Sequence, residues 1–179
     1  QSDLKESKTS IDKMVFNNSK QIAIYKKLLY YARENLPRNK ILDTVFGYIP
    51  TWNTPYLNYS AYETLKTKGV DLIKNNSLRE EIVKMYDNDF ARLIGDWDKW
   101  EWNINQSISM PFFTKHFRRD SINYRKTVPN DYTSLMKNKE FLNIISVLLY
   151  TRNSGVDDGK RITLELDTLI GAIEKEVKR

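Results

Sequence analysis

The sequence predicts an all-α fold, a bundle of five or six helices of which two are long. Much of the 179-residue chain repeats apolar residues every three or four positions, the spacing of one face of a helix. The chain has 11 Tyr, 7 Phe and 4 Trp to fill a core, but only 6 Gly and 5 Pro for the tight turns of a β protein. We therefore expect a single α-helical domain over residues 1–179, with essentially no sheet.

The first long helix is predicted from Ser10 to about Leu36, where Pro37 ends it because its ring disfavours helical geometry at the preceding residue. We expect the polar residues 1–9 to be a frayed extension. Steps of four and three residues match the heptad of a bundle or coiled coil. The predicted stripe consists of Ile11, Val15, Asn18, Ile22, Tyr25, Leu29, Ala32 and Leu36. Because this stripe is thinly apolar, a homodimer through the first helix stands as an alternative to packing within one chain.

The next boundaries come from local signals for turns and helix ends. A short helix over residues 39–48 and a Pro-rich loop over 49–55 are followed by two capping boxes, Ser60 with Glu63 and Ser77 with Glu80. Gly69 is expected to end the helix between them, since glycine tolerates the left-handed turn of a helix terminus.

The second long helix is predicted from Leu78 to about Ile108. Its stripe contains Leu78, Ile82, Met85, Tyr86, Phe90, Leu93, Trp97, Trp100, Ile104 and Ile108. Gly95 interrupts it at a cost of about 1 kcal/mol relative to Ala, which should bend the helix at most. Residues 112–133 are aperiodic, and we expect them to form an irregular basic connection.

Two further helices are predicted near the C-terminus. The first contains Phe141 and Leu148 and has Asn138 as its N-cap, and the polar, glycine-bearing residues 153–159 separate it from a last helix with Ile162 and Val177. The core is predicted to include Ile22, Leu29, Leu65, Ile82, Tyr86, Leu93, Trp97, Leu148, Leu169 and Ile173.

Composition excludes several classes of site. The chain has no Cys, so it can form neither disulfides nor thiolate metal sites, and it has a single His, His116. It contains no apolar run near the roughly 20 residues that span a bilayer. The sequence shows no Gly-rich phosphate loop, Gly-x-Ser-x-Gly or His-Glu-x-x-His motif. We therefore predict no catalytic residues, no cofactor and no metal.

Three weaker signals have a functional and a plain structural interpretation. The carboxylates Asp87, Asp89, Asp96 and Asp98 could form a metal or acid–base site, but residues two apart on a helix point in different directions, which favours a solvated face. Trp97, Trp100 and Trp102 could line a pocket, although ordinary packing is expected for the first two. His116 lacks a recognisable nucleophile or orienting carboxylate nearby, which favours a structural role.

The net charge of +6 is concentrated in one segment, residues 111–139, where seven Lys or Arg accompany two Asp for a net charge of +5. Basic residues interleaved with aromatic ones can bind phosphate-bearing partners such as lipid headgroups, anionic polysaccharide or nucleic acid. The candidate anionic-ligand patch consists of Lys115, Arg118, Arg119, Arg125 and Lys126. A solvated connection is the plain alternative.

One stretch resembles a known family. Residues 58–79 are similar to the most characteristic segment of an uncharacterised family of single-pass membrane proteins common in Bacteroidota. The matching residues are Tyr62, Leu65, Lys66, Gly69, Leu72, Ile73, Asn75, Leu78 and Arg79. Because such proteins begin with a basic tail and one membrane-spanning helix, the resemblance implies an extracytoplasmic, periplasmic domain anchored in the inner membrane. The family implies no catalytic or ligand residues.

Together these observations predict a membrane-anchored, extracytoplasmic helical domain that senses or binds an unidentified protein or small ligand without chemistry of its own. The alternative is a soluble protein that binds nucleic acid or another anionic ligand through residues 111–139. The chain begins at Gln1 rather than at a Met. We therefore expect it to be a processed or excised piece that lacks its anchor.

Overall fold

The prediction of an all-α fold is confirmed. The computed structural model describes residues 1–120, 122 and 126–178, and over these residues it contains six α-helices and one small hairpin. The helices are α1 (Ser2–Arg33), α2 (Ile41–Tyr48), α3 (Ser60–Lys68), α4 (residues 76–116), α5 (Tyr132–Lys137) and α6 (Lys139–Val177), and the strands are β1 (Phe117–Arg119) and β2 (Thr127–Pro129). A single 3₁₀ turn, Val70–Leu72, follows α3. Three of these helices are long, where two were predicted.

Helix α4 is continuous, but three π-helical turns interrupt its α-helical hydrogen-bonding pattern. Its α-helical parts alternate with π-helical turns at Met85–Phe90, Leu93–Asp98 and Asn105–Ser109. A π turn contains more residues per turn than an α-helix, so it rotates the buried face along the sequence. The buried residues therefore depart from the predicted stripe, and Trp100 and Ile108 are exposed.

The predicted irregular connection over residues 112–133 contains regular structure. Helix α4 continues to His116, and β1 then pairs antiparallel with β2, with Arg118 opposite Val128 and Arg119 opposite Thr127. Helix α5 begins at Tyr132, where the side chain of Asp131 accepts a hydrogen bond from the backbone N–H of Ser134. Local pairing of two three-residue strands produced no periodicity long enough to be recognised in the sequence.

The chain packs as two compact units, where the sequence predicted a single domain. Unit 1 consists of Gln1–Phe16, Thr54–Asp98 and Gly155–Arg179, and unit 2 consists of Asn17–Asn53 and Lys99–Ser154. The long helices α1, α4 and α6 each supply residues to both units. In unit 2 a cluster of aliphatic and aromatic side chains forms the core, with the rings of Phe113 and Phe117 stacked at 4.3 Å.

The prediction that residues 1–9 are frayed is wrong. Helix α1 begins at Ser2, and Leu4 and Ser7 are buried. The polar side chains that suggested fraying accept hydrogen bonds from the extended segment before α3 and from the first turn of α3. Ser7 Oγ accepts from the N–H of Asn58 at 2.9 Å, and Asp3 Oδ2 accepts from the N–H of Ala61 at 2.7 Å. These contacts satisfy backbone donors that no helix or strand would satisfy.

The heptad spacing predicted for α1 is present, but alternate positions are displaced by one residue. The buried positions are Leu4, Ser7, Ile11, Met14, Asn18, Gln21, Tyr25 and Leu28. Ile11 is fully buried, while Val15 and Ile22 are only half-buried. The homodimer through this face, the alternative to packing within one chain, stays a prediction.

Helix α6 does not break at residues 153–159. Gly155 and Gly159 instead allow close packing within unit 1: a Cβ at position 155 would lie 2.3 Å from the indole of Trp97, and one at position 159 would lie 2.5 Å from Val15. A glycine that reads as a turn signal is here a site of close approach between a helix and its neighbours.

Some of the predicted helix caps are present, and other helix ends are capped by residues that were not predicted. Asn138 Oδ1 accepts from the N–H of Phe141 at 3.1 Å, and Gly69 ends α3 with a φ of 100°. The capping boxes are wrong: α4 is capped by Asn75, whose Oδ1 accepts from the N–H of Leu78, and Tyr59 precedes α3 without a side-chain cap. Asn75, two residues before the predicted Ser77, took its role because both side chains are good caps.

The predicted core is largely buried. Six of the ten residues are buried, namely Ile82, Tyr86, Leu93, Trp97, Leu148 and Leu169. The remaining four, Ile22, Leu29, Leu65 and Ile173, are half-buried. Two of these four, Leu65 and Ile173, line a cavity described below.

Candidate functional site

A cavity of about 620 Å³, with polar residues in the majority along its wall, lies in unit 2. Its size falls in the range of cavities that hold small-molecule ligands, about 300–1,000 Å³. Residues of α1, the end of α2, the loop that follows α2 and the end of β1 line it. The described lining residues are Asn17, Lys20, Gln21, Ile24, Gly47, Tyr48, Thr51, Trp52, Asn53 and Arg119. We call this the polar cavity.

Helical spacing brings the α1 residues into the polar cavity. Asn17, Lys20, Gln21 and Ile24 stand three and four positions apart, and side chains at these intervals share one face of a helix. The Asn17 Nδ2 donates to Asn53 Oδ1 at 3.1 Å. This bond ties the α1 wall of the cavity to the loop after α2.

Gln21 holds the floor of the cavity in one arrangement. Its Nε2 donates to the carbonyl of Thr51 at 2.8 Å and to Thr51 Oγ1 at 2.9 Å. Its Oε1 accepts from Nε of Arg152 at 2.8 Å. The Thr51 hydroxyl donates in turn to the carbonyl of Tyr48 at 2.8 Å. Since Gln21 is fixed at both ends of its amide, the loop that lines the cavity has a defined position before any ligand binds.

Behind this floor lies a buried ion pair between Arg152 and Glu101, each with 1% of its side chain exposed. Arg152 Nη1 contacts Glu101 Oε1, and Nη2 donates to the carbonyl of Thr51 at 2.8 Å. Two charges this deep are stable only when they compensate each other. Burial also raises the pKa of the neighbouring Tyr25 phenol, whose hydroxyl donates to the carbonyl of Ile49 at 3.1 Å.

The charge of the cavity wall is one-sided. Lys20 and Arg119 are cationic, and none of the described lining residues is an Asp or a Glu. Tyr48 and Trp52 add aromatic surface, and the ring of Trp52 meets Trp102 edge-on at 5.8 Å. Cationic and amide donors beside aromatic faces suit an anionic ligand with an apolar or planar part.

Of the predicted patch residues that the structure describes, Arg119 alone lines the polar cavity. In a strand, residues two apart share a face, so Arg119 lies on the same face as Phe117, whose ring packs in the unit 2 core. Arg118 lies on the opposite face. Both arginines are exposed, as are Lys115 and Lys126. Arg125, the fifth predicted residue, lies outside the described residues.

The sequence did not single out Lys20, Gln21, Thr51 or Trp52. Lys20 and Gln21 looked like the solvated face of α1, and Thr51 and Trp52 looked like ordinary loop residues. One available signal was the heptad itself, because steps of three and four from Leu4 or Ile11 reach Gln21.

The other candidate residues have structural partners. His116 stacks on Phe112 at 4.2 Å between ring centroids. Asp89 is buried, and Arg161 Nη1 donates to it at 2.9 Å. Asp98 accepts from Thr54 Oγ1 at 2.8 Å, while Asp96 is exposed. The expectation of a solvated carboxylate face therefore fails for Asp89.

Asp87 and the three tryptophans are the remaining candidate residues from the sequence. Asp87 accepts a hydrogen bond from the Tyr62 hydroxyl at 2.7 Å. Trp97 is buried as predicted, but Trp100 is 56% exposed and Trp102 is 55% exposed. Over the described part of the chain, no three His, Cys, Asp or Glu side chains are grouped so that they could hold a metal ion.

Glu165, Arg161 and Lys84 form a cluster of ion pairs in unit 1. Glu165 accepts from Arg161 Nη1 at 2.8 Å and from Lys84 Nζ at 3.1 Å. Partial burial alone would raise the pKa of Glu165, but the hydrogen bonds from these two cations lower it below its usual value of 4.5.

Among the residues that the structure describes, no helix is both long enough and apolar enough to cross a membrane. Comparisons of the chain with protein-family models, with curated proteins and with solved structures gave no match. What this chain binds must therefore be argued from its own residues.

Proposed function

We propose that this chain is a non-catalytic binding domain and that the polar cavity of unit 2 takes a small anionic molecule, a carboxylate or a phosphate. The observation that carries the proposal is the cavity wall, which combines two cations with no carboxylate among its described residues. Charge-assisted hydrogen bonds to such an anion are about twice as strong as neutral ones.

The buried network supports binding rather than reaction. Gln21 and Thr51 use their polar atoms to fix each other, with Arg152 behind them. A site that is positioned in advance loses less conformational entropy when a ligand binds. The described lining residues contain no His, Asp, Glu or Cys that could serve as a general base or a thiolate nucleophile.

Isothermal titration calorimetry with citrate and inorganic phosphate tests the proposal, and glycerol serves as the neutral control. Arg119→Glu should weaken anion binding by about ten-fold or more, because losing a hydrogen bond to a charged group costs about 1.5–3 kcal/mol. Arg118→Glu is the matched control, since it changes the net charge equally on the opposite face of β1.

Anion binding that weakens equally in both variants would mean that general electrostatics, and not the polar cavity, attracts the anion. Absence of binding by both anions to the unmodified chain would contradict the proposal outright. Circular dichroism of each variant separates a loss of binding from a loss of folding.

We further propose that the domain is the extracytoplasmic part of a membrane-anchored protein, as its resemblance to the uncharacterised family common in Bacteroidota implies. The resembling segment has clear structural roles in this chain: Gly69 ends α3, and Leu78 is buried near the start of α4. In cells that produce the full-length gene product, the domain should sediment with membranes and be digested by protease added to spheroplasts. Digestion only after lysis would contradict this location.

A second candidate function is nucleic-acid binding through the basic segment 111–139. The exposure of Lys115, Arg118 and Lys126 favours it. Binding through several cations should weaken steeply as salt rises. Arg118→Glu would lower nucleic-acid affinity but leave citrate binding unchanged, so the same variant distinguishes the two functions.

A further inference from the structure

A second cavity, in unit 1, has a different character. It encloses about 430 Å³ and is lined mainly by apolar side chains from α1, α3, α4 and α6. The residues that form its apolar wall include Leu4, Leu65, Leu78, Ile82 and Ile173. We call this the apolar cavity. Several of its residues belong to the stretch 58–79 that resembles the membrane-protein family.

Tyr86 places one polar group in this apolar wall. Its side chain is 4% exposed, its ring stacks on Tyr62 at 4.3 Å, and it meets Phe90 edge-on at 5.2 Å. The Tyr62 hydroxyl donates to Asp87, but the Tyr86 hydroxyl makes no hydrogen bond with the residues that the structure describes. This hydroxyl is not one of the buried polar atoms that lack a partner, so it reaches space accessible to water, where an acceptor of a ligand can take the place of a water molecule.

The winding of α4 contributes to this position. Tyr86 lies in the first π turn, Met85–Phe90, where both Met85 and Tyr86 are buried. Single π turns inside α-helices occur frequently at functional sites. Burial and the nearby Asp3 carboxylate raise the pKa of Tyr86, so its hydroxyl stays a neutral donor.

The charges around the cavity disfavour an anionic occupant. Lys74 and Glu176 both line it, one cation and one anion, and Glu176 accepts from Asn75 Nδ2 at 3.2 Å. Asp3 and Asp87 add negative charge close to the two tyrosines. Unlike the polar cavity, this one presents no excess of positive charge to a carboxylate.

We propose that the apolar cavity binds a neutral acyl ester, with the acyl chain against the apolar wall and an ester oxygen accepting the hydrogen bond of the Tyr86 hydroxyl. The acyl chain would take the place of water on the surfaces of Leu65, Ile82 and Ile173. This site lies in unit 1 and does not depend on the anion site proposed for unit 2.

The test is displacement of the neutral fluorescent probe N-phenyl-1-naphthylamine from the full chain by monodecanoylglycerol. We expect the probe to bind with increased fluorescence and the ester to displace it, while decanoate displaces it at least about ten-fold less effectively because its charge must be desolvated. Displacement by decanoate as effective as by the ester would overturn the assignment of a neutral ligand. Failure of the ester to displace the probe would overturn the site.

Two variants locate the binding. Tyr86→Phe should weaken the ester about five-fold, the usual effect of one neutral hydrogen bond, and should leave the affinity of the probe within about two-fold. Leu65→Trp should fill the cavity and abolish binding of both molecules, whereas Leu164→Trp, at an exposed position on α6, should abolish neither. An unchanged ester affinity in Tyr86→Phe would refute the role of the hydroxyl.

Methyl NMR on the unmodified chain provides a measurement that no folding defect can affect. Monodecanoylglycerol should shift the methyl resonances of Ile82 and Ile173 and leave those of Leu42 in unit 2 unchanged. Shifts confined to unit 2 would overturn the proposal.

Discussion

Removal of the buried guanidinium in unit 2 should be the most destabilising single change at the polar cavity. Arg152→Met keeps an unbranched, apolar side chain of similar length but leaves the Glu101 carboxylate, 1% exposed, without its cation. Neither Glu101 oxygen accepts a hydrogen bond from another described residue that could compensate, and Gln21 Oε1 loses its donor at the same time. Breaking a buried pair in this way costs about 3–5 kcal/mol.

This loss is a large part of the free energy of unfolding of an ordinary domain, about 5–15 kcal/mol. The double variant Arg152→Met with Glu101→Leu removes both charges and should recover at least half of the loss, because two apolar side chains need no compensation. Arg38→Met breaks a pair with Asp43 near the surface and should cost less than about 1 kcal/mol.

Urea unfolding followed by far-ultraviolet circular dichroism measures these differences. The reasoning would be refuted if Arg152→Met cost no more than Arg38→Met, or if the double variant were as unstable as the single one. The double variant should also bind citrate more weakly than the unmodified chain, because Gln21 is then held by Thr51 alone.

Three further outcomes are expected. Asn18→Leu should raise the free energy of unfolding by about 1–3 kcal/mol, because both atoms of the buried amide lack hydrogen-bond partners among the described residues; equal or lower stability in urea would contradict this. Gly155→Ala should cost about 1–3 kcal/mol because the new methyl group overlaps a rigid indole, whereas Gly171→Ala, with open space around its Cα, should gain up to about 1 kcal/mol. The contribution of Glu165, whose folded pKa is depressed, should be complete above about pH 4.5 and lost as pH falls through the folded pKa, so Glu165→Gln and the unmodified chain should converge in stability in acid.

The fold class followed from the sequence because helical periodicity is a local property that many residues report together. Boundaries were less secure, because partners distant in sequence decide them. Ser7 looked like a residue of a frayed end until Asn58 supplied the backbone donor that it binds. Gly155 looked like part of a turn because its signal does not distinguish a bend from a close approach to Trp97.

The candidate site was predictable in its charge and in one member, Arg119, but not in its other members. Arg118 and Arg119 are equivalent by composition, and only the pairing of β1 with β2 decides which of them faces the cavity. Gln21 has a polar side chain, and polar side chains usually face solvent. Its burial depends on a hydrogen bond to the carbonyl of Thr51, thirty residues later. Interactions that consist of single hydrogen bonds across such separations produce no pattern in the chain itself.

The π turns of α4 affect which single-residue deletions and insertions the helix can accommodate. Deleting one residue from an α-helix rotates every following side chain by about 100° and removes the buried face from its partners. A π turn already holds one residue in excess, so a deletion there can relax into an α-helix and leave the following turns in register. Loss of the exposed Asn88, within Met85–Phe90, should therefore be tolerated far better than loss of Glu80 in the preceding α-helical part. The helix thus contains its own sites for insertion and deletion, at positions where a loop would ordinarily be required.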